Sequence, residues 1–129
     1  RDAIGVTVQI DELPVSELAG AIEFGASPSK IEHIVREAFA SREGKRYDGV
    51  ILGCTHYPLV REVIEKVTRD TFGTPLIIDP AEAVAEEVAK RFDIDGDGTM
   101  KFLISKDSTI FRKKLNELFS VSSYTIDVI

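Results

Sequence analysis

Polar and apolar residues alternate at the start of the chain. Ile4, Val6, Val8 and Ile10 are separated by Gly5, Thr7 and Gln9, the period-two pattern of a strand with one buried face. Asp11-Glu12-Leu13-Pro14 interrupts it, and Leu18, Ala19 and Ile22 suggest a short helix within 15–24. Ser27-Pro28 supplies an N-cap and a first helical residue. Ile31, Ile34, Val35, Ala38 and Phe39 follow at helical spacing, so a helix is predicted over 28–40. After the polar loop 41–47, residues 49–53 form a continuous apolar run, the mark of a parallel strand buried on both faces. Val60, Val63, Ile64 and Val67 predict a helix over 58–69, and Leu76-Ile77-Ile78 a short buried strand. Asp79-Pro80-Ala81-Glu82 is a helix start; its apolar face would be Ala81, Val84, Ala85, Val88 and Phe92. Residues 100–104 read as a strand. Asp107 is placed to cap a helix reaching about 119, with Phe111, Leu115, Leu118 and Phe119 inward. Tyr124, Ile126 and Val128 alternate as a last strand.

Strands alternating with helices predict an α/β fold: a three-layer domain with a mostly parallel sheet of about five strands. Residues 1–129 show no internal repeat, low-complexity stretch or linker, and read as a single domain. The first residue is Arg1 rather than Met and alternation begins at once, so the chain is expected to be part of something longer.

Composition narrows the function. The chain is 43% hydrophobic and 29% charged, ordinary for a globular protein, with a net charge of −6. An acidic balance argues against nucleic acid, which needs a basic footprint, and against anionic membranes. No apolar run reaches membrane-spanning length and no signal-peptide pattern is present. The single cysteine cannot form an internal disulfide and suits a reducing, cytoplasmic setting.

That cysteine lies in Gly53-Cys54-Thr55-His56-Tyr57-Pro58, between a predicted strand and a predicted helix. Parallel α/β sheets hold ligands beyond the carboxyl ends of their strands. A thiol beside a helix N-terminus has a depressed pKa. His56 could tune it or exchange a proton, Thr55 offers a hydroxyl, and loop amides can hold a carboxylate. The competing reading is a small buried hydrophobe, the commonest fate of a lone cysteine; position alone leaves both open. One Cys and two distant His lack zinc-ligand spacing, so no metal is expected.

The stretch Val50-Ile51-Leu52-Gly53-Cys54-Thr55-His56-Tyr57-Pro58-Leu59 resembles the second-cysteine motif of bacterial glutamate racemases, in the aspartate/glutamate racemase family. The His at position 56 favours the glutamate branch, since the aspartate enzymes typically carry Glu there. Leu18 through Glu23 resembles the family segment that ends in a glutamate before a helix, Ile78 through Glu82 the strand–cap–helix that follows the motif, and Phe102 to Phe111 the late strand-and-helix segment. The resemblance spans nearly the whole chain but only the second half of the family's length. It implies cofactor-independent interconversion of L- and D-glutamate for peptidoglycan synthesis. Two cysteines, one on each face of the substrate, would carry the α-proton. Cys54 is then the second acid/base, assisted by His56; Thr55 and His56 are substrate contacts; Glu23 is the carboxylate supporting proton transfer. The family's first cysteine, in a Cys-Asn-Thr type motif, is absent. The implied partners are glutamate, the missing N-terminal half of the enzyme, and a second copy in a homodimer. The chain is expected to be inactive alone.

Other readings stand beside this one. An aspartate or other amino-acid racemase, or a one-cysteine arylmalonate-type decarboxylase, would use the same thiol. A carboxylate-binding module would keep the pocket without the chemistry. Asp93-Ile94-Asp95-Gly96-Asp97-Gly98 copies the first half of a calcium loop, but its twelfth position is Ile104 rather than the required Glu. His33 beside Glu32, and Arg42, Lys45 and Arg46, read as solvated surface. Asp79 reads as a cap, and Tyr57 either lines the pocket or fixes the turn.

Overall fold

In the computed structural model, the helix announced by Ser27-Pro28 is α2, Pro28–Ala40, with the Ser27 hydroxyl accepting from the Lys30 amide. Helix α1 precedes it at Leu18–Glu23. Then come β1 (Gly49–Ile51), a 3-10 turn (Tyr57–Val60), α3 (Arg61–Phe72), β2 (Leu76–Ile78) and α4 (Pro80–Arg91). The chain closes with β3 (Met100–Ile104), α5 (Thr109–Leu118) and β4 (Tyr124–Val128). The structure describes residues 8–73, 75–92, 95, 98–119 and 124–129. They fall into two units, Arg1–Ala83 and Val84–Ile129.

The first unit is built on β1-α3-β2. The strands pair in parallel, Gly49 with Leu76, Val50 with Ile77 and Ile51 with Ile78. Gly49 lets the strands approach closely: a Cβ would lie 3.2 Å from the Leu76 carbonyl oxygen, which would have to give by a few tenths of an ångström. Helices α2 and α3 pack together, and α1 packs on α2. Leu18, Ile22, Ile31, Ile34, Val35, Phe39, Leu52, Ile64 and Val67 form the core, with Val67 fully buried. Shortening an isoleucine such as Ile31 to Ala at such a site costs about 2–5 kcal/mol. Gly73 ends α3 at φ 90°, a conformation open to glycine but strained for other residues.

The second unit repeats the pattern as β3-α5-β4, again parallel. Phe102 meets Phe111 and Tyr124 edge to face and Phe119 at a tilt, with ring centres 5.8–6.0 Å apart. Among the described residues of this unit, Leu115 is the buried aliphatic one.

The α/β class and the parallel pairing agree with the sequence pattern. The strand count differs: the described residues hold four strands in two two-stranded sheets, where one sheet of about five was expected. Ile4 and Val6 of the first predicted strand lie outside the described residues, and residues 8–10 carry no strand. The helix expected from Pro58 begins as a 3-10 turn, because Val60 at φ −127°, ψ 26° leaves helical geometry before α3 starts at Arg61. The cap of α5 is Ser108, whose hydroxyl accepts from the Phe111 amide; Asp107 instead pairs with Arg112. Burial of β1 on both faces does not hold. Ile51, Leu76 and Ile78 are 53%, 65% and 41% exposed. The same is true of the α4 stripe, where Val84, Val88 and Phe92 are exposed, and of Leu118. An apolar run is buried on both faces only where a second layer covers it.

Across the α2–α3 seam, Lys66 donates to both oxygens of Glu32, while Arg36 pairs with Glu32 and Asp70. The Lys66 hydrogen bond, then that of Arg36, holds the Glu32 carboxyl below its ordinary value. A depressed carboxylate contributes stability above its unfolded pKa and loses it as pH falls through the folded one. Between about pH 5 and about pH 3, the thermal midpoint should therefore fall more steeply in the wild type than in Glu32→Gln. Parallel curves for the two proteins would show that this seam carries no linkage.

Candidate functional site

The site begins where β1 stops. The Leu52 amide donates to the Ile78 carbonyl at 2.9 Å, so the parallel ladder runs one residue past Ile51. Leu52 is buried, and the chain then turns outward at Gly53. Cys54 is thus delivered beyond the carboxyl end of a parallel strand, next to the strand that leads into Asp79 and α4. In this fold class, such a loop can meet a ligand without breaking the sheet.

The turn is tight. The Tyr57 amide donates to the Cys54 carbonyl at 3.1 Å and the Leu59 amide to the His56 carbonyl at 3.1 Å. These three-residue spans curl residues 54–57 back on themselves. The Cys54 sulfur and His56 Nδ1 are 3.7 Å apart. Both residues are half-buried and Thr55 is exposed. A half-buried thiol against an imidazole nitrogen can pass its proton to that nitrogen or receive one. The buried-hydrophobe reading of Cys54 fits this placement poorly. A 3-10 turn separates the thiol from α3, so Cys54 does not stand directly at an α-helix N-terminus as the sequence suggested.

Glu23 is the last residue of α1 and is exposed. Helix α1 packs against the 3-10 turn that follows the thiol. Among the described residues, no hydrogen bond or ion pair joins Glu23 to Cys54, Thr55 or His56. Cys54, Thr55 and His56 therefore come together, and Glu23 stands on the neighbouring helix. Two contacts lay beyond what the sequence pattern shows. Tyr57 donates its hydroxyl to the Val15 carbonyl at 3.4 Å. Burial first, then the charge of Cys54, pushes its phenol up. Arg61 pairs with Glu65 at 2.7 Å and Glu82 at 3.6 Å, joining the starts of α3 and α4. Nothing in the linear pattern marks an Arg–Glu pair spanning two helices.

The remaining candidates resolve as surface or caps. His33 faces Glu37 at 3.5 Å and is largely exposed. Lys45 pairs with Asp11, and Arg42 donates to the Glu12 carbonyl, tying residues 11–12 to the loop after α2. Four residues of the calcium-like run (93, 94, 96 and 97) lie outside the described residues. Asp79 accepts from the Ala81 amide at 3.0 Å and caps α4.

No protein-family model matches the chain. It is 27% identical over 128 residues to the glutamate racemase of Listeria innocua, covering 93% of this chain and 47% of that protein. Identity to the glutamate racemase of Persephonella marina is 36% over 94 residues, covering 71% of this chain and 35% of the relative. The crystal structure of glutamate racemase from Francisella tularensis in complex with D-glutamate is similar in fold. Its TM-score is 0.70 at 20% identity, covering 90% of this chain and 45% of that one. A glutamate racemase isoform from Bacillus anthracis gives a TM-score of 0.68 at 21% identity, covering 89% and 44%. The chain spans less than half the length of each. The likeness first read from the Cys54 motif thus extends over almost the entire chain, in sequence and in fold.

The cap is separable from the chemistry. Asp79→Ala should cost about 1 kcal/mol of stability in chemical denaturation while leaving the alkylation rate of Cys54 unchanged. A changed rate would draw Asp79 into the site.

Proposed function

We propose that this chain is the second-cysteine part of a cofactor-independent glutamate racemase, as a single functional piece of a longer two-base enzyme. The observation that carries the reading is the thiol–imidazole pair, Cys54 against His56 at 3.7 Å, on the loop beyond a parallel strand. The similarity to glutamate racemases over 93% of the chain supports the substrate assignment.

In the proposed reaction, a thiolate takes the α-proton from one face of glutamate and leaves a carbanion. A thiol on the opposite face gives that carbanion its proton. The sum is inversion at Cα with no net redox change, and the two sulfurs exchange protonation states. Cys54 serves one face. His56 takes or returns the thiol proton and contacts the substrate, and Thr55 offers its hydroxyl to a substrate carboxylate. Glu23, on the helix packed against this turn, is assigned the supporting carboxylate. The opposite face needs a second thiol, and Cys54 is the only cysteine in the sequence. That thiol is assigned to the half of the enzyme that this chain does not match in its relatives. The open apolar face of Ile51, Leu76 and Ile78 supports such a covering partner, because parallel sheets are normally covered on both faces. A cytoplasmic setting and a role in peptidoglycan synthesis follow from the same reading. Among the described residues, no helix is long and apolar enough to cross a membrane.

The chain alone should not racemise either enantiomer of glutamate, followed by polarimetry. Adding the unmatched half of a glutamate racemase in trans should start turnover, and Cys54→Ser should abolish it. Turnover by the chain alone would sink the two-base reading. A complemented preparation that turned over aspartate and not glutamate would sink the substrate.

A further inference from the structure

Three contacts converge on Tyr57. Its amide closes the turn on the Cys54 carbonyl at 3.1 Å. Its ring packs against the core of the first unit. Its hydroxyl donates to the Val15 carbonyl at 3.4 Å, and that same oxygen accepts the Leu18 amide at 3.1 Å at the start of α1. A carbonyl oxygen has two lone pairs. One is used to start α1 and the other to hold the turn that carries the thiol.

The rest of the turn lacks such an anchor. Thr55 is exposed, and Cys54 and His56 have one another as their side-chain hydrogen-bond partners among the described residues. Their separation therefore depends on how the backbone of 54–57 is held. Tyr57 is the side chain of that stretch fastened to another element. The geometry points to Tyr57 as the positioning residue of the thiol–imidazole pair, its hydroxyl on Val15 holding the turn that sets Cys54 against His56. This rests on reading that pair as the acid–base site. Burial raises the phenol pKa, and the charge of Cys54 raises it further, which keeps the hydroxyl protonated and able to donate. Of the elements packed against the turn, α1 carries Glu17 and Glu23 at its two ends, and the first turn of α3, the part next to it, carries Arg61 and Glu62, with Glu65, Lys66, Arg69 and Asp70 further along that helix.

The test is the pH profile of Cys54 alkylation by iodoacetamide on the intact chain. The wild type should show two steps, one set by the His56 imidazole and one by the thiol itself. His56→Ala should lack the first step. Tyr57→Phe keeps the ring and loses the hydroxyl; it should fold with nearly the wild-type thermal midpoint, yet its imidazole step should shrink several-fold. Leu13→Ala loosens the same core without touching the Val15 carbonyl, so it should lower the midpoint and keep the wild-type profile. Superimposable wild-type and Tyr57→Phe profiles, with His56→Ala distinct, would overturn the role of Tyr57 alone. Loss of the step in Leu13→Ala would also overturn it, because the step would then follow general stability. Coincident wild-type and His56→Ala profiles would remove the thiol–imidazole pair itself, and the role of Tyr57 with it.

Discussion

The parallel pairing of β1 with β2 is the constraint on which the first unit depends. It fixes Leu52 on the Ile78 carbonyl, and so decides where the chain leaves the sheet. One residue later the backbone is outside, at Gly53, and the next side chain is the thiol. A register slip of one residue would exchange the two faces of the strand. Leu52 would leave the core, and Cys54 would lose its place at the strand end. The ladder is short, so it is held by what lies beside it: the α2–α3 seam, with Val35 and Val67 almost fully enclosed. The charged pairs along that seam are solvent-exposed and screened, so the apolar contact beneath them is the larger contribution.

The proposed chemistry then depends on how rigidly a four-residue turn is held. Sulfur and imidazole lie two residues apart in sequence, and local geometry alone lets them meet or diverge. Backbone hydrogen bonds give the turn its curl, while the Tyr57 side chain fastens it to the entry of α1. One carbonyl thus serves twice: the Val15 oxygen accepts the Leu18 amide where α1 starts and the Tyr57 hydroxyl that, in the proposed role, holds the Cys54–His56 turn. The open face of β1–β2 belongs to the same logic. A two-stranded parallel sheet with an apolar uncovered face is normally covered by a further layer, and the proposed two-base reaction likewise needs a thiol besides Cys54.

The linear pattern made α2, α3, β2, α4, β3, α5 and β4 legible, because helical and strand periodicities, Ser27-Pro28 and Asp79-Pro80 are local signals. It also marked Cys54, Thr55 and His56, which are neighbours in the chain as well as in space. Val60 hid the true start of α3, since a break in helical geometry leaves no trace in an apolar spacing. Ser108 and Asp107 are both good caps, and the choice between them is made by where Arg112 reaches. The exposure of Ile51, Leu76 and Ile78 was unreadable, because an apolar run states a preference for burial and not whether a cover is present.

By itself, then, the sequence determined the α/β alternation, the strand-end position of the thiol and its likeness to the racemases. Each of these is encoded in residues close together along the chain. Tertiary structure alone decided the 3.7 Å approach of Cys54 to His56, the fastening of Tyr57 to Val15 and the Arg61–Glu82 link between helices. Those depend on the register of a sheet and the packing of helices, which bring together groups that sequence separation keeps apart.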